Sequence, residues 1–530
     1  MGVASSDERQ RGHLKWVMFA SLMPVPGRTA KEIAGLVQRS LVPLIDRLEQ
    51  TNSVRLSLHI GGAVVDYLER EARDLIPRLQ GLVAEERIEL VAAPFYGAPL
   101  GAVPEPDAVA QLKLDVDWLR ARMDAQVRGA WLPSEGWDPV VPRLLARAGL
   151  SYTFLDRRLM PWTGPGWVAA ERDGHTVGVI PVDGSLSEAV RAGDKGDLRA
   201  LLRQRHASGV GLVCAAVPLS RPMHQGTPLG WLPPVLDLMR DEGTWLRPLL
   251  PGVAVGASTG GHRAALTAGL RPELGAESLP VGAAEQPLGV PWSRFLVRSE
   301  DANRLHKRML RVSRQVQRMR SASSQARRQH MADRQVQEAS LDLYQGQGAA
   351  LYMPSPRGEL ERADVRHAAW LALARAEERA RGVLGAPTSP HSVDTDGDGV
   401  PEVYVSTPSL DAVICPADGG AISEFDLPGV GNLLNTHQRQ RPPWIGSVDR
   451  EARLPQLVGG PQLVAVDADE VEIEDSTGVF IRPTVEDAPS GLSAVDDVTE
   501  ESDSSAGSIS IPPDLEDLLV DDAAPRLAFQ

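Results

Sequence analysis

Between His13 and about Gly256 the chain alternates short apolar runs with segments whose apolar residues recur every three or four positions. The run LKWVMFASL predicts a strand. The segment after it opens with Thr29 and Glu32 in capping-box spacing and continues with Ile33, Leu36 and Val37 on one helical face. The same succession recurs as VRLSLHI with a helix over 63–85, and as IELVAAP with a helix over about 106–125. It continues as VRGAWL with 139–148, SYTFL, TVGVIPV with 197–206, and GVGLVCAAV with 230–240. In the third helix Val109, Leu112, Val116, Leu119 and Met123 make one stripe that must face a sheet. About seven such units predict an α/β fold whose parallel strands close into a barrel, over residues 13–270.

The period then changes. After a stretch rich in Gly, Ala and Pro, residues 285–385 read as a helical domain. Its basic run RLHKRMLRVSRQVQRMRSASSQARRQH carries Leu305, Met309, Val312, Val316 and Met319 at helical spacing, which favours a packed helix with a solvated face over a phosphate-binding patch. Beyond the linker at 387–390, short alternating runs (VYVST, AVICPA, AISEFDL, QLVAVDA, EVEIEDS, GVFIRP) predict a small β-sandwich-like domain over 391–484. Residues 486–530 are dominated by Ser, Asp, Glu, Pro and Gly and predict a disordered acidic tail, and residues 1–12 a flexible N-terminus. Within the tail, PPDLEDLLVDD could fold on a protein partner or serve as plain spacer.

At 530 residues with 42% apolar content the chain can bury more than one core. Its net charge of −15 argues against nucleic acid as a partner, and the acid is concentrated late: 12 Asp or Glu face one Arg from Glu486 to Arg526. No apolar run approaches the roughly 20 residues of a membrane helix, and the polar N-terminus lacks a signal-peptide core, so a cytoplasmic protein without membrane attachment is expected. Cys214 and Cys415 are too isolated for a disulfide framework or zinc site, and His59, His175, His206 and His224 form no ligand-spaced pair.

Several blocks carry a resemblance. GAWLPSEGWDP (129–139) is similar to a Trp-Leu-x-Glu-Arg-x-Trp-x-Pro motif, and RIELVAAPFYGAPL, followed by Asp107 and Gln111, to a second block of the same family. GLSYTFLD, PWSRFLVRSEDANRLHKRML, LYQGQGAALY and DTDGDGVPEVYVSTPSLDAVICPADGG follow in the same order. Together they resemble glycoside hydrolase family 57, in its 4-α-glucanotransferase and α-amylase-like branch. The resemblance implies a (β/α)7 barrel, a helical domain and a shortened β-sandwich, α-glucan or maltooligosaccharide as ligand, and retaining glycosyl transfer. That chemistry needs a nucleophile and an acid/base carboxyl about 5 to 5.5 Å apart.

In this register the nucleophile's position falls on Ser134, and Glu135 takes the place of the family's Arg. The block expected to supply the acid/base matches GLVCAAVPLSRPMHQGTP, and no Asp or Glu occurs from Leu198 to Leu236. The family's His-Gln-Pro reads Leu22, Met23, Pro24 here, and its Tyr-Glu-Pro reads Tyr96, Gly97, Ala98. The resemblance therefore implies a retained fold with a degenerate site, acting in glucan binding or regulation. Two alternatives stay open: an active enzyme using Glu135 as a displaced nucleophile with a carboxyl such as Asp156 or Asp183, and a scaffold that displays the acidic tail. Candidate sugar contacts are Tyr96, Trp131, Trp137 and Trp162; the strand context of Trp131 also suits a core residue, whereas Trp137, Trp162 and Trp167 are expected to be exposed. Asp394, Asp396 and Asp398, with Glu402, have the order of half a calcium loop, and Ca2+ or a metal-free acidic turn would both suit them. No organic cofactor is expected.

Overall fold

The computed structural model describes residues 13–51, 54–133, 136–160, 166–220, 229–256, 262–269, 291–324, 329–353, 360, 362–385 and 390–435. The expectations for 1–12, for Ser134, Glu135 and Trp162, and for the strands and tail beyond 435 lie outside the described residues.

Seven parallel strands form the barrel: β1 (Leu14–Leu22), β2 (Leu56–Ile60), β3 (Ile88–Leu90), β4 (Gly129–Ala130), β5 (Tyr152–Asp156), β7 (His175–Val182) and β8 (Leu212–Pro218), while β6 (Val168–Arg172) runs antiparallel to β7. The ring runs β1-β2-β3-β4-β5-β7-β8 and returns to β1. It is nearly closed. Its thin seams are Ala92 against Ala130 and Val182 against Cys214. Strand β9 (Leu246–Pro248) adds to the start of β1, and β10 (His262–Arg263) to β6.

Strand alternation sorts the barrel's side chains. Leu14, Trp16, Met18 and Leu22 of β1 pack outward on the helices, whereas Val17 and Phe19 join Val91, Trp131, Tyr152, Phe154 and Ile180 in the barrel core. Phe19 lies 4.5 Å from Trp131 and 4.9 Å from Phe154, ring centre to ring centre. At the opposite end from the loops that follow the strands, Glu89 accepts hydrogen bonds from Tyr152 (2.7 Å) and from the backbone of Gly252 (2.9 Å), where the short helix Pro251–Gly256 stops the barrel floor.

Local chemistry explains where the elements differ from the sequence expectations. The Thr29–Glu32 capping box forms as read. The helix expected over 63–85 is two, Gly62–Glu71 and Leu75–Ala84, because Pro77 has no N–H to continue the ladder and its ring displaces the preceding turn. The helix expected from 139 begins at Val141: Asp138 accepts from the Val140 backbone (2.9 Å) and holds a turn ahead of it. Strand β6 and the helix Gly184–Ala192 were not foreseen.

Helix α1 (Glu105–Met123) joins the barrel to a helical region of Trp292–Arg298, α2 (Glu300–Ser324), α3 (Gln329–Gln345) and α4 (Ala363–Leu384). Leu305, Met309, Val312, Val316 and Met319 of α2 are all buried, as their spacing predicted. An antiparallel sheet follows, β11 (His391–Val393), β12 (Glu402–Ser406), β13 (Asp411–Cys415), β14 (Ala421–Leu427) and β15 (Gly431–Asn432), in sequential order.

Candidate active site at the barrel rim

In an α/β barrel the loops after the strands carry the site, because they converge over one open end. Here that rim contains Met23 after β1, Gly61 after β2, Phe95 to Gly97 after β3, Leu132 and Pro133 after β4, and Asp156 at the end of β5. Gly61 and Gly97 are small for a reason: a side-chain carbon at Gly61 would sit 3.2 Å from Met23 Cγ, and one at Gly97 (φ +77°) 2.7 Å from Met23 Sδ. Met23 is thus clasped between two bare backbone positions and packs on the barrel core.

The segment after β3 is fixed from both sides. Asp115 accepts from the Ala93 backbone (2.8 Å) and Gln111 from that of Tyr96 (3.1 Å), while the backbone of Ala349 donates to Gly97 (2.8 Å). Gln111 in turn donates to Gln347 (2.8 Å). Gln347 (2.9 Å), Ser313 (2.6 Å) and Arg320 (3.2 Å) all donate to Asp107, so a buried polar seam ties rim, α1 and helical region together. Tyr96 is buried and donates to Asp66 (3.3 Å), whose carboxyl burial pushes up to about 6. Burial likewise pushes Asp115 up to about 8.

Beneath Met23, Ser21 and His59 are register partners on β1 and β2, with Oγ and Nδ1 3.0 Å apart. His59 is fully buried, and burial drives it down to about 3, so the imidazole is neutral. Its Nε2 finds no partner among the described residues.

The candidate sugar contacts do not gather into one open cleft. Trp131 is part of the barrel core. Trp137, expected to be exposed, is 3% exposed, and its backbone pairs with Gly269. Trp167 is half-buried against the core. Trp137 and Asp138, with Leu100, Pro133 and Trp292, line a shallow pocket with about 250 Å³ of space open to solvent. Asp138 spends an oxygen there on Val140. The carboxyls considered as relocated catalysts are committed: Asp156 binds Arg158 (2.8 Å), and Asp183 caps its helix through the Leu186 backbone (3.1 Å) and binds Arg205 (2.7 Å). Sequence reading missed Asp66 and gave Met23 no packing role, because both depend on loops meeting across the barrel.

In the acidic loop, one oxygen each of Asp394, Asp396 and Asp398 lies within 4.8 Å of the others. The loop also serves itself: Asp394 accepts from Gly397 (2.6 Å) and Gly399 (3.1 Å), and Asp398 from Val400 (2.7 Å). Glu402, grouped with them from the sequence, is buried and turns to Thr395 instead, accepting from its backbone (2.6 Å) and hydroxyl (2.7 Å). A hard cation here would rest on the three aspartates, but each of them already accepts from the main chain, Asp396 from the Asp398 backbone (3.2 Å), while burial and the neighbouring carboxylates raise Asp396.

The model of glycosyl hydrolase family 57 matches residues 29–201. An alpha-amylase of Pyrococcus horikoshii is 33% identical over 155 residues, 28% of this chain and 24% of the relative. A 4-alpha-glucanotransferase of Thermococcus kodakarensis is 23% identical over 434 residues, 73% of this chain and 61% of the relative. The chain thus spans less than two thirds of the length of either. The crystal structure of the 4-alpha-glucanotransferase from Thermococcus litoralis superposes with a TM-score of 0.67 at 20% identity, covering 79% of this chain and 66% of that one, which establishes a shared fold.

Proposed function

The barrel of this chain belongs to glycosyl hydrolase family 57, and from that premise we propose that the protein is a catalytically silent relative of α-glucan-acting enzymes, serving to bind or sense α-glucan. The observation that carries this reading is the end of β8. Retaining transfer needs a carboxyl on each face of the scissile bond. Strand β8 runs out at Val217 and Pro218, and the chain has no Asp or Glu anywhere from Leu198 to Leu236. Without that acid the leaving oxygen is not protonated. Ser134 stands at the nucleophile's position in the family register, and a serine hydroxyl there has no carboxylate chemistry to offer. The Met23 thioether supports the same reading, because it fills a rim position where a sugar hydroxyl would want a polar partner.

The rival reading uses Glu135 as a displaced nucleophile. It is weakened by the ion pairs and capping bonds that already hold Asp156 and Asp183. The test is chain-length redistribution of maltotriose and longer oligosaccharides at high protein concentration, alongside calorimetric binding of the same sugars. Binding without turnover is the expected result, and Ser134→Glu alone restores nothing. Turnover that Glu135→Gln abolishes would replace this reading with the active-enzyme one. Neither binding nor turnover would leave a scaffold presenting the acidic tail to a protein partner.

A further inference from the structure

The antiparallel sheet meets the helices through a buried cluster of charges. Arg308 of α2 is 1% exposed and reaches three carboxyls: Nη2 to Glu377 at 2.5 Å, Nη1 to Glu424 at 2.7 Å, and Nη2 again to Asp426 at 3.0 Å. Arg311 adds a second contact to Glu424 at 2.5 Å. From α4, Glu377 also accepts from Gln315 (2.8 Å) and from Tyr404 of β12 (3.3 Å). Arg381 of α4 is matched with Asp411 of β13 at 2.6 Å and donates to Ser406 at 2.9 Å. With that pair set aside, two guanidinium groups face three carboxyls in a buried junction.

We propose that the sheet docks on the helices with a proton on Asp426, so that the junction is a pH-sensitive latch that loosens when this proton leaves. Asp426 is the group that the geometry leaves short. It shares with Glu377 a single Arg308 nitrogen and, among the described residues, has only the neutral Asn432 amide of β15 beside it. It also lies directly across the sheet from Asp411, where two carboxylates repel. Burial, reinforced by Glu424 and Glu377 and opposed by Arg308, pushes its carboxyl up to about 6 from 3.8. At Glu377 burial is outweighed by Arg308 and Arg311, and the carboxyl is held below its ordinary value. The folded junction therefore keeps a proton that the unfolded chain gives up near pH 3.8, and the stability it contributes is full below that pH and is lost as pH climbs through 6.

Hydrogen–deuterium exchange of the amides at 421–432, corrected for intrinsic exchange, reads this directly in the full chain at pH 4.5 and 7.5. Protection in the wild type is expected to fall about thirtyfold between these pH values, within the roughly hundredfold that a shift of about two pH units spans in full. The Asp426→Asn variant, neutral at every pH, is expected to hold one level and to equal or exceed the wild type at pH 7.5. A flat wild-type profile, an equal fall in the variant, or a variant that is less protected or fails to fold at pH 7.5 overturns the proposal. A carbon NMR titration of the Asp426 carboxyl supplies the second readout: a midpoint near 6 supports the latch, and one near 4 overturns it.

Discussion

The barrel and the junction between α2, α4 and the sheet both bury ionisable groups, but they do so in opposite ways. In the barrel and on the helix α1 packed against it, His59 and Asp115 have no counter-ion among the described residues, and burial holds each in its neutral form. The surrounding stability comes from apolar contact, above all the Phe19, Trp131 and Phe154 cluster. At the junction Arg308 and Glu377 are as deeply buried yet stay charged, because each finds its opposite within 3 Å. What decides the charge state is whether a partner of opposite sign is supplied from another element, and depth alone does not decide it. The barrel depends on shape and the junction on charge balance.

The largest expected effects come from single deletions that strike each principle. Trp131→Ala should cost about 3–5 kcal/mol, since it opens a void that the rigid strands cannot collapse. Arg308→Met should cost a similar 3–5 kcal/mol, because it leaves Glu377, Glu424 and Asp426 without their shared cation. Chemical denaturation of both variants checks this. The two should then part company: replacing the whole set, with Arg311→Met, Glu377→Leu, Glu424→Leu and Asp426→Leu added to Arg308→Met so that no buried charge is left unpaired, should recover most of the loss. If it does not, the junction is held by shape as the barrel is, and the contrast fails.

Next in size are the pH effects in the barrel, whose signs oppose each other. Asp115 keeps its proton up to about pH 8, so the stability it contributes is lost as pH rises from 3.8 through 8. Asp115→Asn should abolish that slope and raise stability at pH 9 by on the order of a few kcal/mol, measured by denaturation. His59 stays neutral down to about 3, whereas the unfolded chain takes a proton at 6.5, so its contribution is lost as pH falls through that window. Below pH 6 the His59→Gln variant should therefore show a shallower fall in stability than the wild type. Equal acid limbs in the two proteins would mean that the folded chain protonates His59 as readily as the unfolded one, and that burial does not hold it neutral.

The two regions were not equally legible in the sequence. Strand alternation and helical spacing are local, so β1, β5, β8 and the α2 stripe could be read directly. The missed strand β6 did carry a local signal: Asp173 and Gly174, both at positive φ, make the tight turn that returns the chain into β7. At the rim, Tyr96 and Trp131 could be named, but the burial of Trp137 could not, because its cover includes Gly269, far along the chain. The junction was the least legible part. Arg308 lies more than a hundred residues from Glu424, and no periodicity announces that a basic helix will meet an acidic sheet face.

The smallest expected effect lies in the acidic loop, which sharpens the rule about supplied partners. Asp394, Asp396 and Asp398 are an unbalanced cluster like the junction's carboxyls, but Asp394 and Asp398 are exposed, and water together with main-chain N–H groups already meets their charge. Glu402, which would complete a tighter site, is withdrawn to Thr395. Only the folded loop gathers the three aspartates, so any ion held there would stabilise the fold by mass action, by about 1.4 kcal/mol at ten times the dissociation constant. The expected outcome is that 5 mM calcium, and then a chelator, moves the melting midpoint by less than about one degree, well under what such occupancy would produce. A shift of several degrees that Asp396→Asn removes would show instead that this cluster, like the junction, needs a cation of its own.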